Sequence, residues 1–254
     1  MESIQIYLNS KTANKFNDNN IADAEYILPM IEIPDGYYIY ISLQKASIPY
    51  TFYNINENNN YISFIANLGD LQNEYYSYSV PVGNYNINQL INVLKAEFVT
   101  INITYNSITN KLTFINQSGY LKLNGESTIL SVIGFNDNVD VLGFQNFNNN
   151  TFSIESTHCC NLVTVKTINV ATNLLTKNIN KAIPNNASII ASIPVSGAPY
   201  SMIQYENNND FRCNLFVNTL SMLNVKLMDD MGNLIDLNGV HYSMTFQIDI
   251  MAFK

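Results

Sequence analysis

The chain has no tryptophan, two histidines, three cysteines and only 12 lysines and arginines among 254 residues. Each shortage excludes something. Twelve cations against 20 carboxylates leave a net charge of −8, so a nucleic-acid backbone is a poor partner. Within the first twenty residues Lys11 and Lys15 are offset by Glu2 and Asp18, and no basic arm is present. Three cysteines, two of them adjacent, make a poor disulfide framework and suit a reducing compartment such as cytosol. No apolar run reaches the ~20 residues of a membrane span, and the N-terminus lacks the charged-then-apolar layout of a secretory signal.

Catalytic chemistry fares no better. A Ser or Cys triad would have to use His158 or His241, and neither stands near a nucleophile elbow. A glycosidase needs only two carboxylates, but here they lie mostly in loops, without the tryptophans that usually line a sugar cleft. "NLGDLQ" has one glycine and no following lysine, so it is no phosphate loop. The sequence therefore predicts a protein that is not an enzyme. It assigns no catalytic, cofactor-binding or metal-ligating residues, and no cofactor.

What is abundant is apolar and neutral-polar surface. Hydrophobic residues make up 47% of the chain, with 17 tyrosines, 13 phenylalanines and 42 asparagines. An AT-rich coding sequence would account for most of the asparagine but not for the scarcity of cations. Asn, Ser, Thr and Tyr replace Lys and Glu, as on surfaces that pack against something.

Period-two alternation dominates the chain. In "GVHYSMTFQIDI" the apolar set Val240, Tyr242, Met244, Phe246, Ile248 and Ile250 alternates with His241, Ser243, Thr245, Gln247 and Asp249, which predicts one long strand with a wet face. "DGYYIYISLQ" repeats the pattern, with Ile39, Ile41 and Leu43 opposite Tyr38, Tyr40, Ser42 and Gln44. Further strand candidates are "YILPMIEI", "NYISFIAN", "YYSYSVPV", "NLVTVKTINV", "ASIIASIPV", "FRCNLFVN" and "LNVKLM", separated by Pro, Gly and Asn-rich loops. About eight such strands indicate an all-β fold, a single jelly-roll β-sandwich.

One segment breaks the rhythm. "GNYNINQLINVLKAEF" sets Ile87, Leu90, Ile91, Leu94 and Phe98 at helical spacing, with Asn86 as N-cap and Gln89 completing a capping box. Two short strands joined by "SITN" follow, then a second short helix in "STILSVIG" at 127–134. Residues 82–145 thus read as a small inserted α/β lobe, leaving 1–81 and 146–254 as the two parts of the jelly roll. "NLGDLQNEYY" and "GFQNFNNNTF" are the expected crossing points.

Two clusters invite a metal. "LMDDMGNLIDLNG" holds Asp229, Asp230 and Asp236 beside Gly232. Asp229 suits the first position of a type I turn, and Gly232 the left-handed position closing a three-residue hairpin. EF-hand spacing is absent, so turn chemistry is the expectation over a weak cation site. In "STHCCNL", His158, Cys159 and Cys160 are contiguous; on a strand, 158 and 160 would share a face and 159 would point away. A site from His158, Cys160, Cys213 and His241 would need three strands to converge, and the other reading is cysteines buried as small apolar residues.

Three stretches in order resemble the minor capsid (penton) proteins of virophages, polinton-like viruses and related double-jelly-roll DNA viruses. The first ends its strands in "IPYTFYNI" (Ile48 to Ile55). The second carries Gly83-Asn84-Tyr85 before the helix and Gly134-Phe135 after "STILSVI". The third is the closing hairpin "DDMGNLIDL" leading into the last strand. The resemblance implies a homopentamer closing the five-fold vertex of an icosahedral shell, and contact with a double-jelly-roll major capsid protein. It also implies a virion location after assembly in host cytoplasm, and brings no active-site residues. The alternative is a receptor- or glycan-binding β-sandwich such as a fibre head, for which "GYYIY" and "EYYSYS" would be the aromatic platform.

Overall fold

Alternating segments become strands wherever a second sheet covers their apolar side. The structure, a computed structural model, describes residues 2–67, 72–117, 119–146, 151–174 and 188–252. The chain begins with β1 (Glu2–Asn9), β2 (Lys15–Phe16), β3 (Asp23–Glu32) and β4 (Tyr37–Pro49). It continues through β5 (Tyr61–Ala66), β6 (Glu74–Ser79), α1 (Ile87–Glu97), β7 (Ile101–Asn106), β8 (Lys111–Asn116), β9 (Leu121–Leu123), β10 (Val141–Leu142), β11 (Phe144–Asn146) and β12 (Thr151–Glu155). Last come β13 (Thr167–Thr172), β14 (Ser188–Pro194), β15 (Met202–Glu206), β16 (Cys213–Leu215), β17 (Thr219–Met228) and β18 (Ser243–Ala252). Two compact units divide these elements: Met1–Phe52 with Val165–Lys254, and Tyr53–Thr164.

In the first unit, one sheet runs β1-β18-β4-β15, with β16 also paired to β4; the other runs β14-β13-β17-β3-β2. Counting the eight principal strands in chain order gives 1-8-3-6 and 5-4-7-2, with every pair antiparallel. That strand order is a jelly roll. Its core follows the predicted alternation from Tyr242 onward: Tyr242, just before the last strand, and Met244, Phe246, Ile248 and Ile250 within it are buried with Ile39, Ile41 and Leu43. Val240, expected inward, is exposed, and the strand begins only at Ser243. A bulge where the register shifts between Thr245 and Phe246 inverts the parity of β4, so that Ala46 and Ile48 turn inward after Leu43. Hydroxyls of Tyr26 on β3 and Tyr242 meet at 3.3 Å inside this core.

The second unit is inserted in the chain between the third and fourth jelly-roll strands. It is built of two four-stranded sheets, β10-β9-β5-β6 and β11-β12-β8-β7, with α1 beside β7. The capping box forms as expected: Gln89 N donates to Asn86 Oδ1 at 3.0 Å, and Asn86 N donates to Gln89 Oε1 at 2.9 Å. Leu90, Ile91 and Leu94 turn inward to meet Phe64, Ile103, Leu112 and Phe114, and Phe98 packs edge-on to Phe64 with centroids 4.6 Å apart.

Several expectations need correction. The inserted unit is wider than 82–145, because β5 pairs with both β6 and β9, and β12 pairs with β8. Strands expected in the jelly roll therefore carry the lobe's sheets, and the chain crosses at Phe52/Tyr53 and Thr164/Val165 instead of at the two Asn-rich stretches. Parts of those stretches, 68–71 and 147–150, lie outside the described residues. Residues 128–134 form consecutive turns and no regular helix. Ile129, Leu130, Val132 and Ile133 are buried and Thr128 and Ser131 exposed, so the two-sided pattern is present. The backbone bonds nevertheless close single turns, as Val132 N to Ile129 O and Phe135 N to Leu130 O do, without a continuous ladder. The strand expected across 161–170 starts only at Thr167, and β15 was absent from the predicted set.

Each unit owns a separate apolar core. Replacing Tyr53–Thr164 by a short Gly/Ser linker is expected to leave a sandwich that unfolds cooperatively in urea, followed by circular dichroism. Loss of a cooperative transition would refute the unit boundary.

Candidate functional site

The aspartates of the closing hairpin are spent on backbone. Asp229 Oδ1 accepts from Met231 N and from Asn233 N, each at 2.8 Å, while Asp229 N donates to Asn233 O at 2.9 Å. Gly232 closes the three-residue loop at φ +87, the left-handed region that favours glycine. Asp230 points elsewhere: its carboxylate accepts from Lys166 N at 2.7 Å and from the Thr167 hydroxyl. Asp236 accepts from Asn238 N at 2.8 Å, shaping the next turn. Three carboxylates close in sequence thus serve separate jobs: Asp229 and Asp236 shape local turns, and Asp230 ties the hairpin to the start of β13. Among the described residues, no group of three or more His, Cys, Asp or Glu side chains is placed to hold a metal.

His158, Cys159 and Cys160 lie on irregular backbone, not on the strand assumed for them. Cys159 is exposed, contrary to the expectation of buried cysteines; Cys160 is half-buried and Cys213 buried. Burial, with Cys159 beside it, pushes the Cys160 thiol up to about 11, so it is a poor nucleophile. The other potential ligands have different partners: His158 Nε2 lies 3.2 Å from Asn136 Oδ1, His241 Nδ1 lies 2.9 Å from Ser10 Oγ, and Cys213 Sγ donates to Ile190 O at 3.8 Å.

The motifs that carried the family resemblance are latches. Asn54 reads the backbone of Tyr85 from both sides, donating from Nδ2 to Tyr85 O at 2.8 Å and accepting at Oδ1 from Tyr85 N at 2.9 Å. Beside it Ile55 and Gly83 exchange backbone bonds of 3.1 and 2.9 Å. The "YNI" and "GNY" segments, about thirty residues apart, are thus one joint. Gly134 is required by a close approach: at φ +88, an added Cβ would sit 2.4 Å from His158 O.

Two buried carboxylates organise the jelly-roll sheets on their outer faces. Asp23 accepts from Asn224 Nδ2 at 2.7 Å and Asn17 Nδ2 at 2.9 Å, and pairs with Lys226 Nζ at 3.0 Å. Burial alone would raise its pKa; the bonds from Asn224 and Asn17 and the Lys226 ammonium outweigh burial and hold it below the ordinary value. Asp249 was expected on a wet face, yet it is buried beneath Ser3, Gln247 and Arg212, at 2.6, 2.9 and 3.3 Å.

What remains open to partners is neutral surface. On the 1-8-3-6 sheet, register aligns two rows across all four strands: Asn9, Ser243, Ser47 and Gln204, then Tyr7, Thr245, Lys45 and Glu206. A groove of about 630 Å³ follows these rows. On the other sheet, Ile27 and Met222 are cross-strand partners, 70% and 42% exposed, with Met30 nearby in sequence at 66%. In the inserted unit, Tyr75 donates to Glu126 Oε1 at 2.6 Å and meets the Tyr61 hydroxyl at 2.5 Å. The Glu126 carboxylate pushes the Tyr75 hydroxyl up to about 12. "EYYSYS" thus offers Tyr75 outward, while Tyr76 and Tyr78 pack on the lobe's core. The groove residues were missed because alternation marks a polar side without saying which strands align. Gln204 and Glu206 sit on β15, a short strand outside the set that the alternation predicts.

The fold class defined by these features is a single jelly roll interrupted between its third and fourth strands by a second compact unit. Among solved structures, the chain resembles in fold the crystal structure of the mavirus penton protein, with a TM-score of 0.51 and 10% identity over 99% of this chain and 100% of that one. A chain in a structure of the Sputnik virophage aligns at TM-score 0.44 and 15% identity, over 98% of each. No protein-family model and no curated protein sequence matches the chain.

Three measurements test these assignments. Gly232→Val is expected to lower stability by about 1 kcal/mol or more in chemical unfolding, since a β-branched residue is forced to positive φ. A metal chelator should leave the melting temperature of the unmodified protein unchanged; a fall of several degrees would overturn the turn assignment. Folding lowers the pKa of Asp23, so its contribution is present above its ordinary value of 3.8 and is lost as pH falls through the folded value. Asp23→Asn should accordingly be less stable at neutral pH and show a shallower decline in urea midpoint on acidification.

Proposed function

We propose that this chain is a viral capsid structural protein that acts as the penton of an icosahedral shell, five copies closing each five-fold vertex. The observation that supports this reading is the likeness to the mavirus penton protein across 99% of this chain and 100% of that one, jelly roll and inserted unit together. The surface chemistry agrees. A vertex plug needs contacts that form repeatedly yet remain correctable, which suits tyrosine, asparagine and methionine surface better than dense ion pairs. Each copy must present two different patches to its neighbours, a heterologous contact that closes on itself at five. The remaining side would meet a double-jelly-roll major capsid protein. Such a role places the protein in the virion, after assembly in host cytoplasm, and requires no catalytic group or cofactor.

Isolated protein is expected to be monomeric or weakly associating, with pentamers appearing at high concentration or with the major capsid protein present. A standard interface of roughly 800 Å² per partner permits micromolar association, and ring closure adds avidity because the last subunit gains two contacts at once. Raising salt should preserve or strengthen the rings, since the contacts are not charge-driven. Light scattering across concentration and salt, with particle averaging of co-expressed shells, reads this directly. A stable dimer or trimer that never enters particles would count against the vertex role and favour the fibre head.

A further inference from the structure

We infer that the groove crossing the outer face of the 1-8-3-6 sheet is a binding site for a neutral oligosaccharide. The inference stands apart from the capsid role, because it rests only on the lining of this groove.

Cross-strand register builds it. Ser243 pairs with Asn9 on one side and Ser47 on the other, and Ser47 pairs with Gln204; Thr245 likewise links Tyr7 to Lys45, which pairs with Glu206. Residues two apart on a strand lie ~7 Å apart, and four strands span ~15 Å, so the two rows make a trough long enough for a short chain of sugar rings. Its volume of about 630 Å³ falls within the usual range for small-ligand sites.

The floor is low because its side chains are small. Among the described residues the hydroxyls of Ser243 and Thr245 enter no side-chain hydrogen bond within the chain, and each can both donate and accept. Gln204 Nε2 donates to Ser47 Oγ at 3.0 Å, which fixes the amide beside the floor. At one end Tyr7 stands 74% exposed, its hydroxyl donating to Gln5 Oε1 at 2.5 Å, so the ring is anchored but uncovered. At the other end Lys45 Nζ and Glu206 Oε1 lie 3.1 Å apart and cancel as charges while offering further donors and acceptors.

That combination selects among ligands. An anionic sugar or phosphate finds no unpaired cation among the lining side chains. An apolar helix would need a continuous hydrophobic floor, whereas here Ser47, Ser243, Thr245 and Gln204 break up the apolar surface of the groove, and a peptide strand would add along a sheet edge instead of crossing four strands. A neutral sugar matches: its hydroxyls meet a hydroxyl and amide floor, and its apolar ring face covers an aromatic ring.

The test uses the full chain in saturation-transfer NMR and calorimetry with cellohexaose, maltohexaose, chitotetraose and xylohexaose, and with 3′-sialyllactose as the anionic comparison. At least one neutral member should bind saturably. Tyr7→Ala should weaken it roughly tenfold or more, and Thr245→Val several-fold, while Tyr7→Phe, which keeps the ring, stays near wild type. Tyr75→Ala, on the other tyrosine surface, should change nothing. Unchanged melting temperatures would separate loss of binding from loss of fold. Absence of binding by every neutral member, binding indifferent to Tyr7→Ala, or binding of 3′-sialyllactose alone would overturn the inference. So would hydrogen exchange showing the groove covered by a second copy of the chain on self-association.

Discussion

Both sheets of the jelly roll depend on strands from the end of the chain. β18 is hydrogen-bonded on one side to β1 and on the other to β4, and β17 stands likewise between β13 and β3. Without β18 the first and third strands share no sheet, and neither sheet is continuous until Thr219–Ala252 has been placed. Such pairing is non-local and therefore slow, because chain closure precedes the reward. The insertion of Tyr53–Thr164 lengthens that closure, but its thermodynamic cost grows only with the logarithm of loop length. The strands of the inserted unit pair among themselves, as β7 does with β8 across a short turn.

The register of β18 also explains the polar features around it. The bulge at Gln44, opposite Thr245 and Phe246, permits a long strand to keep its apolar side inward on a twisted partner. On the opposite side Asp249 ends up in the middle of the sheet, where a lone carboxylate would be costly. Ser3 from β1, Gln247 from β18 itself and Arg212 ahead of β16 surround it, so one charge fastens three parts of the chain. Replacing any one of them would leave the others bonded to a less satisfied anion.

Much of this was legible in the sequence, and the division is physical. The capping box of Asn86 and Gln89, the inward set of the last strand and the Asp229–Gly232 turn depend on neighbours a few residues away, so local pattern suffices. The unit boundary was misplaced because strands of the lobe and of the jelly roll show the same alternation; only their partners differ, as β5 with β9 shows. Residues 128–134 looked helical because buried apolar residues crowd together there, although the segment bonds as successive turns. The Asn54–Tyr85 latch was seen as a motif but not as a bond, since nothing local in either segment names the other. The groove rows were invisible for the same reason.

Charge pairing links the composition to the kind of contact the surface can make. Among the described residues Lys15, Lys45, Lys111, Lys122, Lys226 and Arg212 all lie within 4.0 Å of carboxylates, which accounts for six of the 12 cations in the chain. The pairs of Lys15, Lys45, Lys111 and Lys122 are exposed on at least one side and contribute little to stability, about 0–1 kcal/mol each, whereas Lys226 and Arg212 reach the buried Asp23 and Asp249. Their larger consequence is to remove positive charge from the surface, leaving a field that is weakly negative and studded with hydroxyls, amides, tyrosines and methionines. In a shell assembled as proposed, copies of such a chain would repel one another slightly at long range and attract only on close fit. Encounter is then slow and unsteered, and selection falls on shape and neutral hydrogen bonds. An interface built that way discriminates at the dissociation step, where misplaced copies leave before well-fitted ones.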